Sequence, residues 1–182
     1  MIKKVVLTGG ACVGKTTLID LFTAKGYSTL SESGREIYIA EQERLRKDPR
    51  YNPKFPQTDY VSFEEMVIQR QLDKEKTLEP GIYFLDRSLV DCLGMSFFQG
   101  RLLKSDIRRL ISQAGYHKKV FFLSQFGNYE NDEQRKESRE EMLRMHEEIK
   151  RAYILSGFNV VEVPAMTPEE RVGFILENLK ED

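Results

Sequence analysis

The chain has 182 residues, enough for one well-buried domain and too few for two comfortable ones. Its net charge of -1 excludes a global field that would draw it to nucleic acid or to anionic lipid. Its two cysteines, Cys12 and Cys92, exclude a disulfide framework, and the apolar share of 40% is ordinary for a globular protein. No run is long enough to span a bilayer, and the apolar run before Gly9 is too short for a signal-peptide core. The expectation is a soluble, cytoplasmic protein with a single domain over residues 1–182 and with no membrane or nucleic-acid partner.

Ile2 to Thr8 reads as an apolar strand suited to burial on both faces of a parallel sheet. A glycine-bounded loop follows, and a helix runs from Thr16 to Lys25 with Leu18, Leu21 and Phe22 on one face and Gly26 as its stop. Tyr27 to Leu30 is a second short strand. Arg35 to Lys47 is weakly helical. Three prolines, Pro53 and Pro56 after Pro49, then forbid regular structure, and the loop over 48–60 reads either as a lid or as a solvated connector. Ser62 is the expected cap of a helix running to about Leu78. Ile82 to Asp86 is a strand ending in an acid. Helices are expected over Leu89–Phe98 and Ser105–Ala114, then a strand over Lys119–Ser124 and a polar loop. A long helix is expected from about Glu133 to Ser156. The strand Asn159–Val163 precedes a last helix opened by Thr167 and Pro168. Strands alternating with helices predict an α/β architecture: a central parallel five-stranded sheet with helices on both faces. Ligands in such sheets sit beyond the carboxyl ends of the strands.

The first of those ends carries the strongest signal. Gly9-Gly10-Ala11-Cys12-Val13-Gly14-Lys15-Thr16 fits G-x-x-x-x-G-K-[ST], the phosphate-binding P-loop, between a strand and a helix. The terminal glycines admit backbone angles that a side chain forbids, so the loop can turn its N–H groups onto a phosphate. The helix adds its positive end. Lys15 is expected at the β- and γ-phosphates of ATP and Thr16 on Mg²⁺; the Thr17 backbone faces the same ligand. Cys12 is expected to be a small filler in the loop.

Asp86-Arg87-Ser88 ends the third strand. Asp86 is placed to hold Mg²⁺ with Thr16, and Arg87 to hold a phosphate or substrate hydroxyl by its planar fork. Asp91 reads equally as a polar residue of the next helix turn. Glu32, at the end of the second strand, can take a proton from an acceptor hydroxyl, bind that hydroxyl without taking the proton, or pair with Arg35. Arg135 and Arg139 are one helical turn apart in a lid-like segment, 124–139. They either close over the triphosphate or belong to a solvated helix face. His117 and His146 are isolated and read as surface residues. An N-K-x-D guanine motif is absent.

Taken together, Gly9–Thr17, Glu32 with Arg35, Asp86-Arg87-Ser88 and the segment holding Tyr129, Asp132 and Arg135 resemble the AAA-domain ATPase/kinase family related to the nicotinamide riboside kinase domain of NadR-type proteins. The Asp-Arg-Ser triplet is also similar to that of thymidylate and deoxynucleoside kinases. The resemblance implies a P-loop NTPase three-layer sandwich, ATP and Mg²⁺ as cofactors, and a small-molecule acceptor. It also implies strand-end residues that handle metal, phosphate and hydroxyl, with lid arginines closing over the phosphates. It supports Lys15, Thr16, Asp86, Arg87, Glu32 and Arg135 in the roles given above. The expected activity is transfer of a γ-phosphoryl group to a nucleoside or nucleoside-like hydroxyl. The alternative is a regulatory NTPase acting on a protein partner.

Overall fold

The computed structural model describes residues 1–124 and 138–180. Among them are five strands, β1 Ile2–Thr8, β2 Ser28–Leu30, β3 Gly81–Asp86, β4 Lys119–Leu123 and β5 Asn159–Val163. The helices are α1 Lys15–Ala24, α2 Ser33–Lys47, α3 Tyr60–Lys76, α4 Leu89–Gln99, α5 Ile107–Ala114, α6 Arg139–Leu155 and α7 Pro168–Lys180. The sheet is parallel in every pairing and has the order β2-β3-β1-β4-β5. β1 is therefore central, and the chain passes to one side of it before returning to the other. That reversal opens a crevice beyond the end of β1, where the P-loop begins.

The alternation of side chains along each strand divides the core into two layers. Val5 and Leu7, with Phe84, Phe121 and Leu123, pack against α1 and α7. Val6, with Leu85, Val120 and Phe122, faces α3, α4, α5 and α6. Both faces of β1 are thus apolar, which is why its sequence is a run rather than an alternation. In the first layer Phe22 stacks on Phe84 at 3.8 Å, and Tyr27 meets both rings edge-on. Tyr27 serves this packing instead of extending β2, which starts at Ser28.

Several boundaries depart from the sequence expectation for local reasons. Asp59, not Ser62, caps α3: its carboxylate accepts the Ser62 N–H at 3.2 Å, so the helix starts at Tyr60. α6 runs from Arg139 with Ser138 and Glu141 forming a reciprocal capping box, and the expected start near Glu133 lies outside the described residues. α2 starts at Ser33, whose hydroxyl donates to Gln71 Oε1 at 2.7 Å. The proline-rich loop is tied down by the fully buried Glu41. That carboxylate accepts from Tyr51 Oη and from the Lys54 N–H at 2.7 Å, while Phe55 packs on Tyr38.

α4 and α6 are in close backbone contact at Gly94. A Cβ there would lie 2.6 Å from Ile149 Cα and 3.2 Å from the Glu148 carbonyl oxygen. Because the obstacle is backbone, Gly94→Ala is expected to destabilise the fold by about 3 kcal/mol, the upper end for a methyl forced into a packed core. Gly173→Ala in α7 meets nothing within 4 Å. It is expected to stabilise by about 0.5–1 kcal/mol. Urea unfolding of the pair checks both signs.

Candidate active site

The P-loop conformation is set by its glycines. Gly9 has φ 134° and Gly14 φ 89°, and a Cβ on Gly9 would lie 2.9 Å from the Leu123 carbonyl oxygen. Cys12 also adopts a left-handed backbone, at φ 60°, and its side chain is exposed. Lys15 is buried and turned back over the loop, donating to the carbonyls of Gly10 at 2.6 Å and Gly9 at 3.2 Å. Burial and the nearby Arg87 charge bring its ammonium down to about 8, against the opposing pull of Asp86 and Glu32. An ammonium held this way gains most from a polyanion.

Parallel register places the other strand ends beside it. Leu7 pairs with Asp86, so Asp86 emerges next to the loop, and Thr16 Oγ1 lies 3.3 Å from Asp86 Oδ2. Asp86 Oδ1 is buried and has no hydrogen-bond partner among the described residues. Desolvation raises the Asp86 carboxyl above its ordinary range. An orphaned carboxylate oxygen beside a hydroxyl is an all-oxygen donor pair, which fits Mg²⁺ sharing its remaining positions with phosphate and water.

Arg87 stands in the left-handed region at φ 70°, an uncommon state for a residue with a Cβ. Its N–H donates to the Leu7 carbonyl at 3.0 Å. Its guanidinium donates to Glu32 Oε1 at 3.1 Å and to Asp91 Oδ1 at 3.0 Å. Glu32 thus pairs with Arg87, and the expected alternative pair with Arg35 is not formed; Arg35 is exposed on the cleft rim. Asp91 is more than a polar residue of the helix turn. It accepts from Thr8 Oγ1 at 2.6 Å, from the Ser88 N–H at 2.9 Å and from Tyr153 Oη. These bonds fix the acid that fixes Arg87.

Lys15, Thr16, Thr17, Glu32, Arg35, Arg87 and Asp91 line one cleft of about 860 Å³, together with Ala11, Cys12 and Gly14. The P-loop forms one end. The other is built by Tyr38, Ile39, Pro56, Phe63, Val67 and Met95, an apolar wall interrupted by Glu64 and Gln71. Arg135, Tyr129 and Asp132 lie outside the described residues. Arg139 is the exposed first residue of α6 and is not part of the cleft lining.

Two residues that sequence reasoning missed brace the loop from behind. His146, read as a surface residue, is buried; its Nδ1 accepts the Gly10 N–H at 3.0 Å and its ring packs on Phe122. Its place on the inward face of α6 is the signal that could have revealed it. Arg171, fully buried in α7, donates to the carbonyls of Val13 at 2.6 Å, Ser124 at 3.0 Å and Pro164 at 3.0 Å.

Burial holds the His146 imidazole below its ordinary range; Lys150 and Lys15 push the same way, and Glu147 and Glu162 oppose them. The folded state therefore favours neutral His146, while the unfolded chain takes up its proton near pH 6.5. This contribution is present above that pH and is lost as pH falls through the lower folded value. Wild type is expected to lose more stability between pH 7.5 and 5 than His146→Ala does. Equal slopes of unfolding free energy against pH would refute the neutral assignment.

A family model described as an AAA domain matches residues 4–171. No curated protein matches the chain by sequence. Deoxyadenosine kinase from M. mycoides superposes with a TM-score of 0.63 at 16% identity, over 100% of both chains. Thymidylate kinase from Ehrlichia chaffeensis gives 0.63 at 12% identity, over 98% of both. A NadR protein in complex with NR gives 0.62 at 21% identity, over 98% of this chain and 51% of that one. These likenesses establish the three-layer P-loop α/β fold. By its family match, running from within β1 to the buried arginine of α7, this chain belongs to the AAA-domain family.

Proposed function

We propose that the protein is a small-molecule kinase that transfers the γ-phosphoryl group of ATP to the hydroxyl of a nucleoside or nucleoside-like acceptor. The observation that carries this reading is the Glu32–Arg87–Asp91 chain of ion pairs, set between the P-loop and an apolar half-cleft. A carboxylate held by a guanidinium beside a phosphate cradle can orient a hydroxyl and accept its proton. An NTPase that uses only water has no need of the apolar half-cleft beyond it. Proteins of the same fold include a deoxyadenosine kinase solved with dCMP and dCDP and a NadR solved with NR, which agrees with an acceptor of this class.

Each residue then has one task. The P-loop amides and Lys15 bind the triphosphate, and Lys15 neutralises oxygens of the β- and γ-phosphates. Thr16 and Asp86 would hold Mg²⁺, which when bound neutralises further phosphate charge. Glu32 takes the proton of the acceptor hydroxyl as its oxygen bonds to the γ-phosphorus and the bond to the ADP oxygen breaks. Arg87 is placed to steady the transferring group and hold Glu32 in register.

The test is ADP release across a nucleoside panel. Acceptor-stimulated turnover by wild type is expected, with kcat lowered by about 10²–10⁴ in Glu32→Gln and ATP affinity largely kept. Turnover indifferent to every acceptor would favour the regulatory NTPase instead. The lowered Lys15 ammonium gives a second expectation. A polyanion restores its affinity for a proton, so at pH 8.5 ATP binding should take up protons, seen as a calorimetric enthalpy that varies with buffer ionisation. Lys15→Arg should abolish that dependence.

A further inference from the structure

Glu64, in α3, is a buried acid without a cation. Among the described residues three of the other four buried carboxylates have several donors each, and Asp86, the site's metal-facing acid, has one. Glu41 has Tyr51, Lys54 and Arg44; Glu75 has Lys4, Gln71 and Tyr116; Asp91 has Arg87, Thr8, Ser88 and Tyr153; Asp86 has Thr16. Glu64 is 6% exposed and makes no ion pair among the described residues; its one hydrogen-bonding neighbour is the Cys92 thiol, a weak donor. One turn earlier on α3, the Tyr60 hydroxyl is buried with no partner among the described residues. A carboxyl left in this state costs stability unless something else uses it. Glu64 lines the cleft, in the apolar half, between Phe63 and Val67.

We propose that Glu64 selects the acceptor: it pairs with a ring edge that carries an N–H next to a carbonyl or ring nitrogen, as in a pyrimidine or purine nucleoside. The reasoning is stereochemical. A carboxyl in its acid form presents an O–H donor beside a C=O acceptor, and its complement is an amide-like or amidine-like edge. Desolvation pushes the Glu64 carboxyl up to about 7, so the acid form is well populated near neutrality. The charges of Asp91 and Glu32 add to that rise, while Arg87 and the Cys92 thiol oppose it; the Tyr60 hydroxyl is the remaining titratable neighbour. Phe63, Val67, Tyr38 and Met95 supply apolar surface for a flat ring. Glu32 and Arg87 line the same cleft, and on the kinase reading the hydroxyl of such an acceptor belongs beside them. A purely apolar acceptor would leave the Glu64 carboxyl buried and unpaired. The site would then disfavour it strongly.

This inference rests on the kinase reading for the position of the acceptor, and its test separates the two. Binding of uridine, cytidine, adenosine and inosine is measured by calorimetry with a non-hydrolysable ATP analogue present, against phenyl riboside, which lacks the hydrogen-bonding edge. At least one nucleoside is expected to bind wild type ten-fold or more tightly than phenyl riboside. Glu64→Ala should remove that margin, and Glu64→Gln, which keeps a donor beside an acceptor, should stay within three-fold of wild type. Affinity for the ATP analogue should be unchanged in both. Wild-type nucleoside binding should weaken as pH rises from 6 to 8, and Glu64→Gln should be flat. The inference is overturned if no nucleoside outbinds phenyl riboside, if Glu64→Ala binds like wild type, or if folded Glu64→Gln is as impaired as Glu64→Ala. ADP release in the same samples reads the kinase reaction separately. Glu64-dependent binding without phosphoryl transfer would sink the kinase reading and leave the edge selection standing.

Discussion

The cleft depends on how one guanidinium is held. Arg87 sits in a strained left-handed backbone immediately after β3, and Glu32 and Asp91 grip its side chain from two sides. Removing either acid would leave a desolvated cation with half its compensation, which is costly in a low-dielectric site. Asp91 is in turn pinned by Thr8 at the end of β1, by Ser88 and by Tyr153 of α6. The chain of contacts therefore joins three strand ends and one distant helix. Four carboxyls and two cations meet in this region: Glu32, Asp86, Asp91 and Glu64 against Lys15 and Arg87. A polyphosphate with its metal would tilt that balance little, because the metal offsets much of the charge that arrives.

The phosphate loop is braced from behind as firmly as it is shaped from within. Gly9, lacking a Cβ, leaves room for the Leu123 carbonyl at the end of β4. His146 takes up the Gly10 amide, and Arg171 the Val13 carbonyl. These groups come from β4, α6 and α7, so the loop is fixed relative to both helical layers. Preorganised dipoles need no rearrangement when charge develops, and this is the usual source of electrostatic stabilisation in phosphoryl transfer. The Gly10 amide is engaged with protein. On the proposed reading, the remaining loop amides, and Lys15 once released from the Gly9 and Gly10 carbonyls, would be the groups that meet a phosphate.

The two ends of the cleft differ in kind. One is backbone, glycine and cation, chemistry that any triphosphate satisfies. The other is aromatic and aliphatic surface with one buried acid in it. On the kinase reading proposed above, affinity for the nucleotide would come from the main chain, and discrimination among acceptors from side chains of α2, α3 and α4. The proline-rich loop belongs to this second end. Glu41 fixes its course, and Pro56 and the Tyr38–Phe55 pair carry it to the rim.

Much of this was legible without coordinates. The strand-loop-helix signature fixed the P-loop, because glycine spacing and a lysine-threonine pair are local properties of the chain. Apolar runs bounded by breakers located all five strands, and their alternation with helices implied a parallel sheet. The acids and arginine at the strand ends could be named from that alternation alone. Partnership could not. That Glu32 meets Arg87 and not Arg35 depends on β2 lying beside β3, an order that no local pattern encodes. His146 and Arg171 reach the loop across 136 and 158 residues, and no local pattern ties either of them to it. Glu64 is one of two adjacent acids in α3 with no local mark of its own, and its burial beside Cys92 of α4 comes from tertiary packing. Sequence set which groups stand at the ends of the elements, since periodicity and turn chemistry act over a few residues. Tertiary structure decided which of them lose water and whom they meet, since burial and pairing follow from strand order and helix packing.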